Sequence, residues 1–334
     1  MKTNIFNMKK TIDQHELAEI TNLLQRGKTV AFPTETVYGL GADATNKEAV
    51  EKIFSAKGRP SDNPLIVHVA TKSQLLSLVK DVPDYVERLI DKFSPGPITY
   101  VLHHAGKVAP VVTAGLDTIG VRIPNHPVAL SILKASALPL AAPSANRSGR
   151  PSPTEADHVA DDLTGRIAAI VDGGMTDVGI ESTVVDCTGE IPLILRPGTI
   201  TAENIKNAIG ACHVYQTEDL PEKPKSPGMK YVHYAPEVPL FLVEKSKIAE
   251  LIHDYQAQGN RVALLYASHS LQRIPAEQRL YIGTDEHELA KRLYRILRSF
   301  NKRDMDMIVC EYPSLSENHA IIDRLKRAAT EIIM

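Results

Sequence analysis

Over the first 200 residues the apolar positions switch repeatedly between helical and strand spacing. A chain patterned in this way buries both kinds of face by laying helices on a sheet. Leu17, Ile20, Leu23 and Leu24 predict a helix over 14–26, with Gly27 as its stop. TVAF at 29–32 reads as a strand. Asn46 is placed to cap a helix running to about Ala56, with Ala49, Val50, Ile53 and Phe54 on one face. Further strands are expected at 65–69, 98–102, 118–123, 139–142, 167–171, 183–186 and 192–195. Helices are expected near 72–80, 84–92, 127–136 and 154–162. So many strands in one stretch imply a large mixed α/β sheet with helices packed on it.

The pattern stops at about 212–239, where Pro221, Pro224, Pro227, Pro236 and Pro239 forbid regular helix or central strand. Beyond it, strands at 240–244, 262–266, 279–282 and 307–310 alternate with helices at 247–258, 287–300 and 317–330. That alternation describes a small parallel α/β domain. The expected organisation is a domain over 1–211, a linker over 212–239 and a second domain over 240–334.

Composition narrows the function. With 38 basic and 40 acidic residues the net charge is −2, and neither domain is a polycation. A dedicated nucleic-acid binder would carry a basic excess. Trp is absent, and 11 Tyr and 6 Phe leave few stacking platforms for single strands. No apolar run approaches the ~18 residues of a membrane span. The N-terminus lacks the apolar core of a signal peptide. Cys187, Cys212 and Cys310, odd in number and widely spaced, read as reduced thiols of a cytoplasmic protein and offer no zinc pattern.

Chemistry gathers in irregular segments. FPTETVYGLGADA (32–44) contains G-x-G-x-x-A, but Pro33 and several residues separate the glycines from the strand. A tight turn therefore describes them better than a dinucleotide fingerprint. Read as extended chain, the segment sets Thr34, Thr36 and Tyr38 on one side, lining a site or facing solvent. In AKGRPSDNPLIVHV (56–69), Lys57 and Arg59 read as loop residues pointing the same way, a cradle for a polyanion or a solvated charged loop. His68 shares a strand face with Ile66, half buried or aimed into a cleft. In DTIGVRIP (117–124), Thr118, Gly120 and Arg122 share the face opposite Ile119, Val121 and Ile123. A ligand can approach the backbone closely at Gly120. APSANRSGRPSPT (142–154) offers Ser144, Asn146 and Ser152, with Thr154 expected to cap the next helix and Asp157 to complete a capping box. No P-loop motif occurs.

Together with PGPIT, GIESTVVD (179–186), ILRPG and SPGMKYVHYAP (226–236), these segments resemble the YrdC/YciO family in its long, two-domain L-threonylcarbamoyladenylate synthase form. The resemblance spans about 20–200 and 212–334, and the signature pairs Lys57/Arg59 and Ser144/Asn146 are intact. Two positions depart from the family pattern. Ser94 stands where Trp is common, and Val232 where a polar or basic residue is frequent.

The resemblance implies a catalytic sheet related to double-stranded RNA-binding folds, with a smaller Rossmann-like domain after it. It implies a nucleotidyltransferase that makes threonylcarbamoyl-AMP and pyrophosphate from L-threonine, bicarbonate or CO₂, and ATP with Mg²⁺. Other proteins would transfer the product to tRNA, with weak tRNA contact here and no membrane. Threonine would be held by Thr36, His68, Arg122, the backbone of Ala142, and Ser182. ATP would be held by Lys57, Arg59, Asn63, Thr118, Ser144, Asn146, Ser152, Arg196 and the linker's Tyr234, with Lys57, Arg59, Ser144 and Asn146 catalytic. No metal ligands are assigned.

Two other classes stand beside this one. An RNA-binding module without ATP turnover would use Lys291, Arg292, Arg295, Arg298, Lys302 and Arg303 as a phosphate track. An NAD-dependent oxidoreductase would rest on GLGADA.

Overall fold

The computed structural model describes residues 2–215, 234–283, 285–300, 304–315 and 319–334. They divide into two compact units, one of 1–148, 153–177 and 181–230, the other of 149–152, 178–180 and 231–334. Most of the proline-rich segment, including Val232, lies outside the described residues, as do Lys302 and Arg303.

In the first unit the strands are β1 (Asn4–Asn7), β2 (Val30–Phe32), β3 (Gly39–Asp43), β4 (Ile66–His68), β5 (Val79–Lys80) and β6 (Ile98–His104). They continue with β7 (Thr118–Arg122), β8 (Leu140–Ala141), β9 (Ala169–Asp172), β10 (Thr183–Asp186), β11 (Leu193–Arg196) and β12 (His213–Val214). The helices are α1 (Gln14–Gln25), α2 (Lys47–Lys57), α3 (Lys72–Leu78) and α4 (Asp84–Phe93). After them come α5 (Pro110–Thr113), α6 (Pro127–Ser136), α7 (Ala156–Leu163) and α8 (Ala202–Ile209).

Caps fix several helix ends. Asp13 accepts the Glu16 N–H at the start of α1, and Asn46 accepts that of Ala49 at the start of α2. Gly58 ends α2 at φ 63°, a left-handed conformation glycine adopts without a Cβ clash. At α7 the expected cap moves. The N-cap is Glu155, and the Thr154 N–H goes instead to His158 Nδ1 at 3.3 Å.

All twelve strands form one mixed sheet, ordered β1-β9-β2-β3-β8-β4-β7-β6-β10-β11-β12, with β5 paired to β6. Alternation along the strands supplies two cores, one per face. Val30, Phe32, Leu140, Ala169 and Val171 share a cluster with Leu17, Ile20 and Leu24 of α1 and Ala129 and Ile132 of α6. Ala31, Ala141 and Ile170 point the other way and join Val50, Ile53 and Phe54 of α2 with Val86 and Leu89 of α4.

The glycines of GLGADA belong to a strand, not the expected turn: β3 runs antiparallel to β2, with Phe32 opposite Gly39. A Cβ on Gly41 would come within 2.5 Å of Phe32 Cε1, so packing against that ring requires glycine. A strand in this place does not open a helix, which removes the dinucleotide reading.

The second unit carries a parallel five-stranded sheet, ordered β15-β14-β16-β13-β17. Its strands are β13 (Leu240–Val243), β14 (Val262–Tyr266), β15 (Gln278–Tyr281), β16 (Met307–Glu311) and β17 (Glu331–Ile333). Its helices are α9 (Ile248–Ala257), α10 (Glu286–Ser299) and α11 (Ala320–Ala328). The helix expected to Thr330 ends earlier, and β17 follows it. Among the described residues no helix is long and apolar enough to cross a membrane. All three cysteines are buried and unbonded.

Candidate active site

Strand ends of the first unit converge on a set of buried polar side chains. β4 and β7 are parallel neighbours in a register that sets His68 opposite Arg122. Between β2 and β3 the chain bends at residues 35–37 and does not run as the expected extended segment. Thr34 Oγ1 there donates to Val37 O at 2.7 Å and meets Thr36 Oγ1 at 2.8 Å. Tyr38 faces elsewhere and donates to Gly174 O at 2.6 Å.

Arg122 is buried, and its guanidinium is held on three sides. Nε donates to Gly96 O at 3.3 Å and Nη1 to Thr36 Oγ1 at 2.9 Å. Nη2 lies 2.6 Å from a carboxylate oxygen of Glu35. Gly96 sits in the PGPIT turn, where the Ser94 hydroxyl meets Tyr100 OH at 3.0 Å.

His68 is only 4% exposed, T-shaped against Phe32, and its Nδ1 has no hydrogen-bond partner among the described residues. Burial first, and the Arg122 charge second, hold its pKa down at about 3, so the ring is neutral at physiological pH. A neutral imidazole offers one donor and one acceptor to a ligand.

Ser182 Oγ meets Thr99 Oγ1 at 2.8 Å. Arg196, at the end of β11, donates to Ser182 O from Nε at 3.2 Å and from Nη2 at 3.0 Å. The resemblance divided these two residues between threonine and ATP; the structure joins them directly. The Ala142 N–H goes to Ile66 O at 2.9 Å, leaving its carbonyl as the backbone group a ligand would meet.

The second half of the site is organised by Lys57. It is the last residue of α2 and only 3% exposed, in place of the expected loop cation. Its ammonium donates to Asn146 O at 2.7 Å and to Ser144 O. Ser148 N–H donates back to Lys57 O at 2.9 Å. Lys57 thereby pins the APSANRS segment, whose other side is pinned by β3: Leu40 N–H goes to Pro143 O and Ala145 N–H to Tyr38 O. Arg59 Nη2 donates to the carbonyls of Asn63 at 3.4 Å and Pro64 at 3.2 Å. The Asn63 side-chain carbonyl is buried and unpartnered among the described residues. Thr118, at the start of β7, is buried opposite His103.

Ser152 and Tyr234 belong to the second unit. Tyr234 is buried there at φ 67°, stacked on Tyr294 with ring centroids 5.2 Å apart and Arg324 5.6 Å from its ring centre. In the basic helix α10, Arg298 is engaged within its own unit, donating to Pro151 O from Nε at 3.0 Å and Nη2 at 2.6 Å. It is one of the six cations of the phosphate track in the RNA-binding reading, and Lys302 and Arg303 lie outside the described residues.

An unpaired buried polar group costs about 1–3 kcal/mol. Asn63 and His68 each carry a buried polar atom without a hydrogen bond among the described residues, while Glu35 and Arg122 face each other as an ion pair. A ligand able to supply the partners is the simplest account of their retention. Glu35 and Thr99 were not singled out from sequence. Glu35 lies between two threonines in a polar segment, and its burial was the missing signal.

Among the described residues no group of three or more His, Cys, Asp or Glu side chains could hold a metal ion.

Residues 22–198 match the family described as Sua5_yciO_yrdC, telomere recombination, and 200–330 match the threonylcarbamoyl-AMP synthase C-terminal domain. A threonylcarbamoyl-AMP synthase of Bacillus subtilis (strain 168) is 49% identical over 321 residues, covering 94% of this chain and 93% of the relative. One of Pyrococcus abyssi (strain GE5 / Orsay) is 41% identical over 336 residues, covering 98% of each. The crystal structure of P. abyssi Sua5 complexed with L-threonine superposes with a TM-score of 0.92 at 41% identity, covering 99% of this chain and 100% of that one.

Proposed function

The chain belongs to the Sua5, YciO and YrdC family, and on that premise we propose that it is a threonylcarbamoyl-AMP synthase. It makes threonylcarbamoyl-AMP and pyrophosphate from L-threonine, bicarbonate or CO₂, and ATP. The observation that carries the reading is the pairing of a buried, three-point-anchored Arg122 with neutral His68 across β4 and β7. An arginine presents a carboxylate with parallel donors, and a neutral imidazole can bond a hydroxyl without adding charge. Those are the two polar ends of threonine.

Threonine sits among Thr36, His68, Arg122, the Ala142 carbonyl and Ser182. The amine adds CO₂ to become a carbamate and loses its proton. A carbamate oxygen then attacks the α-phosphorus of ATP, and a new P–O bond forms as the bond to pyrophosphate breaks. Both partners are anions, so fixed positive groups must offset their repulsion. Arg59 and Lys57 supply charge beside Ser144 and Asn146, and Asn63, Thr118 and Arg196 complete the nucleotide site. Magnesium would accompany the nucleotide and would supply further positive charge to offset that repulsion; no residue of the chain is assigned to the ion. The protein's contribution is positioning and electrostatics rather than a protein nucleophile.

The domain scheme of 1–211, 212–239 and 240–334 accompanies this reading, as do a place in the cytoplasm and delivery of the product to tRNA-modifying proteins. Contact with tRNA itself is weak. The test is mass spectrometry of the purified chain's products with ATP, L-threonine and ¹³C-bicarbonate. The heavy carbon should appear in a threonylcarbamoyl adenylate, and its absence with folded protein defeats the assignment.

A further inference from the structure

The reaction assigned above gives no role to Glu35, a carboxylate 5% exposed in the middle of the threonine-binding residues. Burying a charge in a fold is costly unless it is paired. Glu35 has one ion-pair partner in the structure, Arg122 at 2.6 Å, and neither of its oxygens makes a geometrically sound hydrogen bond among the described residues. A carboxylate kept there against that cost acts on its partner.

The guanidinium has five N–H donors. Gly96 O and Thr36 Oγ1 take one each, and Glu35 faces Nη2. Five donors less these two hydrogen bonds leave three, enough for the two that a bidentate carboxylate accepts. Gly96 and Thr36 hold Nε and Nη1 by hydrogen bonds, and the Glu35 charge draws on the third nitrogen as an ion pair, biasing how the fork lies about its Cδ–Nε axis. Glu35 also balances the Arg122 charge, so that an empty pocket does not hold an unpaired buried cation.

We propose that Glu35 is a positioning residue of the threonine site. It holds the Arg122 guanidinium in the orientation that leaves two donors for the amino-acid carboxylate, and it does not itself bind the nucleotide. This rests on the assignment of threonine to Arg122.

The experiment is calorimetric titration of the full chain with L-threonine and, separately, with MgATP, for wild type, Glu35→Ala and Glu35→Gln. Loss of the ion-pair partner leaves Arg122 a buried unpaired charge, free to reorient, and should weaken threonine binding ~10-fold or more in Glu35→Ala. MgATP affinity should stay within about twofold. Glu35→Gln keeps the side-chain shape without the charge and should weaken threonine binding to a similar degree. If Glu35→Ala does not fold, Glu35→Asp, which withdraws the carboxylate by one methylene, is held to the same expectation. Unchanged threonine affinity in the truncated variant overturns the proposal, as does equal weakening of threonine and MgATP. A wild-type chain that binds no threonine at all defeats the functional reading itself, a result distinct from either of these.

Discussion

The ammonium of Lys57 donates to the carbonyl of Asn146 at 2.7 Å, so the two halves of the nucleotide signature are tied to each other through a buried hydrogen bond. Lys57 therefore has a structural duty as well as an electrostatic one. Lys57→Ala should lower turnover on the order of 10²–10³-fold, the usual effect of losing one preorganised donor. It should also lower unfolding stability by about 1–3 kcal/mol, because the Ser144 and Asn146 carbonyls lose their partner. Denaturant unfolding alongside pyrophosphate release checks both. A variant as stable as wild type contradicts the anchoring role.

Arg59 separates the two effects. It is half-buried after the end of α2 and donates to loop carbonyls at 3.2–3.4 Å. Arg59→Ala should lose turnover on the order of 10²-fold. Its unfolding stability should stay within about 0.5 kcal/mol of wild type. The same two assays decide, and the contrast with Lys57→Ala is the informative result.

His68 makes the protein sensitive to acid. Its folded pKa is depressed to about 3, against about 6.5 when unfolded. Above pH 6.5 the ring is neutral in both states and stability is at its full value. As pH falls below that, the unfolded chain takes up a proton that the native chain refuses, and stability is lost progressively down to about pH 3. At pH 5 the loss from this group should be on the order of 1–2 kcal/mol. Urea unfolding of wild type and His68→Gln at pH 7 and pH 5 measures it. The wild type should lose more, and an equal change in both removes His68 as the cause.

Much of this arrangement was legible in the sequence, for a physical reason in each case. β7 was found because Ile119 and Val121 alternate with Thr118 and Arg122, and α2 because Asn46 caps a run that sets Ala49, Val50, Ile53 and Phe54 on one face. β5 and β12, of two residues each, are too short to show a period, whereas β8 was expected at 139–142. β3 was read as a turn because its glycines report close packing on Phe32, which local pattern cannot see. Lys57 was read as exposed because its partners are carbonyls of a segment some ninety residues later, and backbone acceptors leave no mark in a sequence. Glu35 was passed over for the same reason that it matters: nothing local says that a glutamate between two threonines is buried on an arginine.

Tyr234 is tested through its own unit. Its ring is stacked on Tyr294 with Arg324 nearby, so Tyr234→Ala removes a buried aromatic and should cost about 3–5 kcal/mol. Tyr234→Phe keeps the ring contacts and should remain close to wild type. Thermal unfolding compares them, and equal stability of the two variants shows that the stack contributes little.

The central claim is that one pocket joins threonine, bicarbonate and ATP. It is tested most directly by pyrophosphate release from the purified full chain, omitting each reactant in turn. The account predicts release only when all three are present. Serine should support a reduced rate, since the methyl group it lacks is worth only about 1–3 kcal/mol of discrimination. Pyrophosphate released equally without threonine, or without bicarbonate, would contradict it.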